Sequence, residues 1–201
     1  MSAPLLMPHL LLKDLPRYEC LLEAAREFPD LDPSAADAFL HLLHTSDEAF
    51  AISDRSLAAH NISHGRFGVL MLLWQGVQPR AAKLMGAGEC VPGPRTPAAL
   101  ADAANVTRAT MTGLIDTLER DGYVKREPDP VDRRQMSVRL TPSGMKFMEA
   151  FLPGHFRSIT GIMGTLTEAE RKTLVRLLVK VQQQTTELRR RRESAPSPAP
   201  G

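Results

Sequence analysis

Two adjacent arginines, Arg133 and Arg134, are the side chains in this sequence best placed to contact a polyanion. They follow the stretch EPDPVD, in which Pro128 and Pro130 each fix a backbone φ angle and so stiffen the chain before the arginines. A guanidinium on a narrow, rigid projection can enter a groove where negative potential concentrates. The chemistry predicted from this stretch is therefore ionic recognition.

The segments on either side of the arginines have the composition and alternation of β-strands. YVKRE follows Gly122 and predicts one strand, and QMSVRL predicts the next. The apolar positions expected to share one buried side of the second strand are Met136, Val138 and Leu140, and the polar positions expected on the other side are Ser137 and Arg139. The arginines then lie in the turn of an antiparallel hairpin.

Two helices are predicted before this hairpin. Thr96 and Pro97 provide an N-cap and a first helical residue for the short helix AALADAANV. Thr107 caps a longer helix, RATMTGLIDTLERD, which stops at Gly122. The residues near the start of this longer helix that its apolar stripe leaves outward are Arg108, Thr110, Thr112 and Gly113. This order of elements is typical of a winged helix-turn-helix, whose second helix enters the major groove of DNA.

The sequence from Val106 to Gly144, VTRATMTGLIDTLERDGYVKREPDPVDRRQMSVRLTPSG, resembles the recognition helix and wing of MarR-family transcription regulators. The motifs that carry the resemblance are Asp132-Arg133-Arg134 and Leu140-Thr141-Pro142-Ser143-Gly144, and the order of helices is similar from about residue 34 to 190. The resemblance implies that Arg134 enters the minor groove and that Asp132 orients the wing through an ion pair. The DNA-contacting residues that it implies are Thr107, Arg108, Thr110, Thr112, Gly113, Asp132, Arg133 and Arg134.

The resemblance also implies a homodimer and a small-molecule effector. The first helix and the last two interdigitate with a second subunit in this family, so two recognition helices lie roughly 34 Å apart and the double-stranded operator is a pseudo-palindrome. A small aromatic carboxylate or phenolic ligand that favours another spacing would release a repressor from DNA. No cofactor is expected. The side chains expected at the ligand site are His41, His44, His64, Arg66, Phe67 and Trp74, with His60 beside them.

The composition agrees with a compact regulator and disfavours several other classes of protein. The chain has 201 residues, 43% hydrophobic and 24% charged, with a formal net charge of +2. Its two cysteines make no disulfide framework, no apolar run is long enough to cross a bilayer, and no secretory leader opens the sequence. A cytoplasmic protein without membrane attachment is therefore expected. The sequence assembles no nucleophile, base and orienting group, so an enzyme is not expected.

The segments before these two helices predict further helices and a loop. Ser34 and Asp37 resemble a capping box that starts a long helix over about 34–59. The apolar run GRFGVLMLLWQ after Ser63 predicts a buried helix. The Gly- and Pro-rich segment 76–95 predicts a long loop.

The segments after the hairpin predict two more helices. Thr141 starts one of them, with a possible break at Pro153 and Gly154. Thr167 and Glu170 form a capping box that opens the last helix.

The predicted fold class is mainly α with a small β-hairpin wing, organised as a winged helix-turn-helix lobe plus a helical dimerisation region. The predicted parts are an N-terminal arm over 1–16, dimerisation segments over 17–62 and 145–190, the DNA-binding lobe over 63–144, and a disordered tail over 191–201. The four arginines 189–192 are expected to complement the dipole at the end of the last helix.

Three alternatives stay open. His41 and His44 are three residues apart on a helix and would need a third ligand to hold a metal, although such pairs are more often surface or interface residues. An exposed, low-pKa thiol at Cys20 would make a redox-responsive regulator of the same fold, and Cys90 is expected to be an incidental thiol. The third alternative is a winged-helix protein-interaction module that has lost DNA binding.

Overall fold

The computed structural model describes residues 14–77, 95–129 and 133–194. Over these residues the chain is mainly helical with one two-stranded antiparallel sheet, which confirms the predicted fold class. The elements in chain order are α1 (Tyr18–Glu27), α2 (Pro33–Ala58), α3 (His64–Val77), α4 (Pro97–Ala104), α5 (Arg108–Arg120), β1 (Val124–Pro128), β2 (Met136–Leu140), α6 (Pro142–Met163) and α7 (Glu168–Ser194). They fall into two compact units, Met1–Phe156 and Arg157–Gly201.

The core of the first unit forms around α3, as its apolar sequence predicts. Val69, Leu70 and Leu73 of this helix are buried. The buried side chains that other elements contribute include Leu57, Leu100, Met111, Ile115, Leu118, Val138 and Met148. Each large apolar side chain removed from water stabilises the fold by roughly 1.5–3 kcal/mol, so this core fixes α4, α5 and the hairpin against α3.

Asp32, rather than Ser34, caps the start of α2. Its carboxylate accepts hydrogen bonds from the backbone amides of Ser34 at 2.9 Å and Ala35 at 3.1 Å. These bonds, that from Ala35 first, hold the pKa of Asp32 below its ordinary value. The predicted capping box of Ser34 and Asp37 is therefore wrong. Pro33 is the first helical residue and needs no hydrogen-bonded amide, which places the cap directly before it.

Regular structure extends into both ends of the segment 76–95 that was predicted to be a loop. α3 continues through Val77, and Arg95 forms an antiparallel bridge with Val138 on the free edge of β2. The Val138 amide donates to the Arg95 carbonyl at 2.8 Å, and the Arg95 amide donates back at 3.2 Å. Residues 78–94, including Cys90, lie outside the described residues.

The hairpin has the predicted strands but not the predicted burial. Val138 and Leu140 are buried, whereas Met136 is 45% exposed and Ser137 is fully buried. Met136 pairs with Pro128 at the turn end of the hairpin, two residues before Val138 and therefore beyond the core. The Ser137 hydroxyl donates to the Asp129 carboxylate, and this bond permits its burial. The burial predicted for Met136 and the outward position predicted for Ser137 are therefore wrong.

α6 runs through Pro153 without the predicted break. Met148, Phe151 and Leu152 precede the proline and are buried in the core. Their burial outweighs the roughly 3 kcal/mol that a proline costs inside a helix, so the segment stays helical.

The last helix starts as predicted and ends later. The Thr167 amide donates to the Glu170 carboxylate at 2.7 Å and the Glu170 amide donates to the Thr167 hydroxyl at 3.3 Å, which confirms the capping box. The helix continues through Ser194, so 191–194 do not belong to a disordered tail; residues 195–201 lie outside the described part. The exposed large apolar side chains of α7 are Val175, Leu177, Val179, Val181 and Leu188.

Candidate nucleic-acid interface

The turn between α4 and α5 sets the start of the predicted recognition helix. Asn105 ends α4 in the left-handed conformation, with φ 52°. Thr107 then caps α5: its hydroxyl oxygen accepts from the Thr110 amide at 3.1 Å and lies 2.8 Å from the Thr110 hydroxyl. This confirms the predicted cap and leaves the first turn of α5 with outward-pointing polar groups.

One face of α5 is buried and the other is open. Met111, Ile115 and Leu118 are fully buried. The residues predicted to face outward, Arg108, Thr110, Thr112 and Gly113, are all exposed. The Thr112 hydroxyl donates to the Arg108 carbonyl at 2.9 Å, so toward a ligand it offers only acceptor lone pairs and its methyl group.

Arg126 of β1 ties the wing to α5. Its guanidinium donates to the carboxylates of Glu119 and of Asp116, the latter at 2.5 Å, and its backbone amide donates to Glu119 at 2.8 Å. Burial alone lowers the pKa of Arg126, but these ion pairs raise it overall, so the side chain stays charged. The hairpin is thereby held against the outward half of α5.

A backbone hydrogen bond joins the described ends of the wing tip. The Asp129 amide donates to the Gln135 carbonyl at 2.9 Å, and Arg133 and Arg134 lie exposed between these two residues. On the outer face of the hairpin, Glu127 accepts from Arg139 at 2.7 Å. Asp132, predicted to orient the wing, lies outside the described residues.

The Leu-Thr-Pro-Ser-Gly motif joins the wing to α6. The Thr141 hydroxyl donates to the Gly122 carbonyl at 2.7 Å and accepts from the Gly144 amide at 3.1 Å. A single threonine therefore caps α6 and fastens it to the turn after α5. Sequence reasoning found the motif but not these contacts.

Arg66 and Trp74, both predicted at the ligand site, have structural partners. The Arg66 guanidinium donates to Asp121 at 2.7 Å and to the Asn61 carbonyl, which ties the start of α3 to the end of α5. Trp74 is buried in the core.

Other predicted ligand residues lie in a cluster of aromatic rings and imidazoles. His64 lies 3.1 Å from the Asp54 carboxylate and stacks at a tilt on Phe50, with centroids 5.0 Å apart. Phe67 contacts Phe151 edge-on at 5.2 Å. The members of this aromatic–histidine cluster are Phe50, His60, His64, Phe67, Phe147, Phe151 and His155.

The α6 half of the aromatic–histidine cluster was not predicted. Phe147, Phe151 and His155 recur every four residues, a spacing that places them on one face of a helix. Burial, followed by the neighbouring charge of His64, lowers the pKa of His155 below its ordinary value of 6.5. The other two predicted residues lie on α2, where His41 is exposed 3.7 Å from Asp37 and His44 is half-buried.

A separate apolar cavity of about 370 Å³ lies between α3, α4 and α5. Its lining includes Gly68, Leu72, Ala104, Met111 and Leu114, and none of the six predicted ligand residues. Within the described ranges, no group of three or more His, Cys, Asp or Glu side chains is arranged to hold a metal ion, and no helix is long and apolar enough to span a membrane.

This geometry agrees with the similarity of the chain to known proteins. The MarR family model matches residues 92–136, which run from before α4 to the start of β2. The HTH-type transcriptional repressor YetL of Bacillus subtilis (strain 168) is 34% identical over 167 residues, which cover 83% of this chain and 92% of that repressor. The chain belongs to the MarR family. As a MarR-family regulator it is a DNA-binding protein and not an enzyme, which confirms both predictions.

Solved MarR-family structures share the fold. One of them is Bordetella bronchiseptica BpsR, whose structure concerns the regulation of its DNA binding by 6-hydroxynicotinic acid. BpsR is 26% identical to this chain with a TM-score of 0.56, and the match covers 71% of this chain and 91% of BpsR. The Staphylococcus aureus MepR–DNA complex has a TM-score of 0.57 at 24% identity, over 74% of this chain and 96% of MepR. This chain therefore shares its fold with most of the length of each of these two proteins.

Proposed function

We propose that this chain is a homodimeric transcriptional repressor that binds a pseudo-palindromic operator through α5 and the wing and leaves it when a small aromatic carboxylate or phenol binds. The observation that carries the proposal is the joined surface of α5 and the wing, which Arg126 holds together through Asp116 and Glu119. The similarity to a protein named a repressor supports the sign of regulation. Such a regulator acts in the cytoplasm, where its DNA is.

The proposed DNA contacts divide by groove. Arg108, Thr110 and Thr112 read base edges or phosphates in the major groove, where a threonine methyl also suits thymine. Gly113 lies on the open side of α5, where a Cβ built on it meets nothing within 4 Å, and its lack of a side chain lets the helix backbone approach DNA closely. The amides after Thr107 suit a phosphate at a helix N-terminus. Arg134, with Arg133 beside it and Asp132 orienting the turn, enters the adjacent minor groove.

A second subunit is proposed because several large apolar side chains of the described helices are exposed to solvent. On α2 and on α7 these side chains include Phe39, Ile52, Val175 and Leu177. Exposed apolar surface on this scale is typical of a protein–protein interface. An isologous pair would place two α5 helices on successive turns of one face of the duplex.

Selection of duplexes from a random-sequence pool by the purified protein tests whether it binds a pseudo-palindromic operator. The expected product is a two-fold symmetric site whose half-sites are roughly 10 base pairs apart from centre to centre. A chain that enriches no sequence, while folded and dimeric, would instead be a protein-interaction module.

The aromatic–histidine cluster is the proposed effector site. Phe67 and Phe151 supply aromatic walls, and the imidazoles of His60 and His64 suit a carboxylate or a phenolic oxygen. The regulation of BpsR by 6-hydroxynicotinic acid supports an aromatic acid as the ligand class. Because Arg66 joins the start of α3 to Asp121, a ligand that shifts α3 would also shift α5.

Calorimetric titration with benzoate, phenylacetate, indole-acetate, cinnamate and 6-hydroxynicotinate tests the effector. At least one compound is expected to bind and to lower affinity for the selected duplex, and Phe67→Ala is expected to abolish its binding. His41→Ala is the matched control, because His41 is exposed on α2 and contacts Asp37 of the same helix instead of the aromatic–histidine cluster. If no compound binds the folded protein, the effector proposal is wrong and the DNA-binding proposal is unaffected.

A further inference from the structure

An exposed apolar pair stands at the end of the hairpin, next to the arginine turn. Pro128 and Met136 are direct partners across the two strands, and both are exposed, Met136 by 45%. The neighbouring apolar residues of the hairpin, Val124, Val138 and Leu140, are buried in the core. The pair therefore extends the apolar side of the hairpin past the core and leaves it open to a partner.

The position of the pair relative to α5 follows from the register of β1. The chain turns back after α5, so successive residues of β1 contact progressively earlier residues of the helix. The Tyr123 amide donates a hydrogen bond to the Leu118 carbonyl, and the Arg126 guanidinium donates to the carboxylates of Glu119 and Asp116. Two strand residues span roughly 6.8 Å, which equals about four to five helical residues. Pro128 and its partner thus come level with Thr112 and Gly113.

From this register we expect a cleft between the start of α5 and the wing. Thr112 and Gly113 lie one turn before Asp116 and share its side of the helix. Both are exposed, and a Cβ at Gly113 would meet nothing within 4 Å, so this side of α5 is open at that level. The cleft has a helix on one side and an apolar pair on the other.

The proposed function dictates what passes through this cleft. When α5 lies in the major groove and the arginines enter the adjacent minor groove, the sugar–phosphate strand that separates the two grooves must run between α5 and the wing. We propose that Pro128 and Met136 pack against the deoxyribose rings of that strand, with Arg108 and Arg133 on either side near its phosphates. The C–H surface of the sugar is apolar, and methionine adapts to an irregular surface. The contact adds affinity without reading sequence, and it rests on the proposed function.

Two substitutions at one position test the contact, measured with the full-length protein. Met136→Ser is expected to weaken binding roughly fivefold, as burial of part of a methionine side chain would give. The loss is expected to be equal on the duplex selected from the random pool and on an unrelated duplex of the same length. The slope of log Kd against log salt concentration is expected to stay as in the unchanged protein, because no charge is removed. Met136→Leu keeps an apolar side chain and is expected to bind normally, and both variants unfold at the normal temperature.

Arg134→Ala in the same titrations separates the two proposals. If Arg134→Ala weakens binding and Met136→Ser does not, the apolar contact is wrong and the proposed function stands. A loss confined to the selected duplex would also overturn the contact, because it would indicate base reading. If neither substitution changes binding, the DNA-binding surface itself is misplaced and both proposals fail.

Discussion

At Gly144, the first turn of α6 passes so close to the turn after α5 that no side chain fits. A Cβ at this position would overlap the carbonyl oxygen of Tyr123. The same carbonyl accepts a hydrogen bond from the Thr141 amide at 3.0 Å, so the two backbones cannot easily separate. Glycine is required here by a close approach of main chain.

Gly144→Ala is therefore expected to destabilise the fold by roughly 2 kcal/mol or more, because overpacking against backbone has no soft neighbour to displace. The measurement is the free energy of unfolding in urea. Gly68→Ala is the matched control: it lies in α3 and a Cβ there meets nothing within 4 Å, so this change is expected to be neutral or stabilising. Equal unfolding free energies for the two variants would contradict the close approach.

His155 makes the first unit sensitive to acid. Burial and the neighbouring His64 hold its pKa below the ordinary 6.5, so the unfolded chain takes up this proton at a higher pH than the folded chain does. Above the ordinary value both states are neutral at this residue. As the pH falls below it, the unfolded state binds more protons and stability decreases.

Thermal unfolding from pH about 8 to about 5 is expected to show this loss, and His155→Phe is expected to reduce it while keeping the ring contacts with Phe67 and Phe151. His41→Phe, on the exposed part of α2, is the control and should keep the pH dependence of the unchanged protein. An unaltered pH profile for His155→Phe would show that another group causes the loss.

Between α5 and the wing, one side chain makes the ion pairs that link the two elements. Arg126 is only 23% exposed and joins β1 to two carboxylates of α5. Arg126→Met keeps the apolar stem and removes the ion pairs, which is expected to cost roughly 1 kcal/mol of stability and to weaken DNA binding several-fold, because the wing loses its fixed position. Lys125→Met on the opposite face of β1 is the control, since its partner is Glu127 within the hairpin. Equal Kd values for the two variants would contradict the positioning role.

Caps, stops and alternation made most elements predictable. Thr96, Thr107 and Thr167 start helices where an N-cap is expected, and Gly122, with φ 78°, ends the turn after α5. These signals act within a few residues, so they can be read from sequence. The order of elements follows from them, whereas the family was indicated by the resemblance of the recognition helix and wing motifs.

The remaining positions depend on contacts that are distant in sequence. Pro153 stays helical because the residues before it are buried in the core. Ser137 is buried because its hydroxyl donates a hydrogen bond to the Asp129 carboxylate, and Arg66 forms an ion pair with Asp121, 55 residues away. The α6 half of the aromatic–histidine cluster was missed for the same reason. No local pattern records which faces meet, so the exposure of the outward residues of α5 and of the wing arginines could be predicted, but the packing of α6 against Phe67 and His64 could not.

At the scale of the whole molecule, α7 is the strongest reason to expect two subunits. Val175 is 59% exposed and Leu177 is 52% exposed, on a helix of 27 residues. Leu177→Glu is expected to shift the sedimentation of the protein from dimer to monomer and to weaken operator binding, because two half-sites are then no longer engaged by one particle. Lys180→Glu, a polar position on the same helix, is the control for added negative charge. A monomeric chain with full operator affinity would contradict the proposed assembly.

The salt dependence of binding shows whether the wing arginines contact DNA. The measurement is Kd for the selected duplex over a range of salt concentrations, for the unchanged protein, Arg134→Ala, and Arg55→Ala as a charge-matched control on α2. We expect Arg134→Ala to weaken binding and to reduce the slope of log Kd against log salt concentration by about one, with Arg55→Ala unchanged. Unchanged affinity and slope for a folded Arg134→Ala protein would show that the wing does not contact DNA through this arginine.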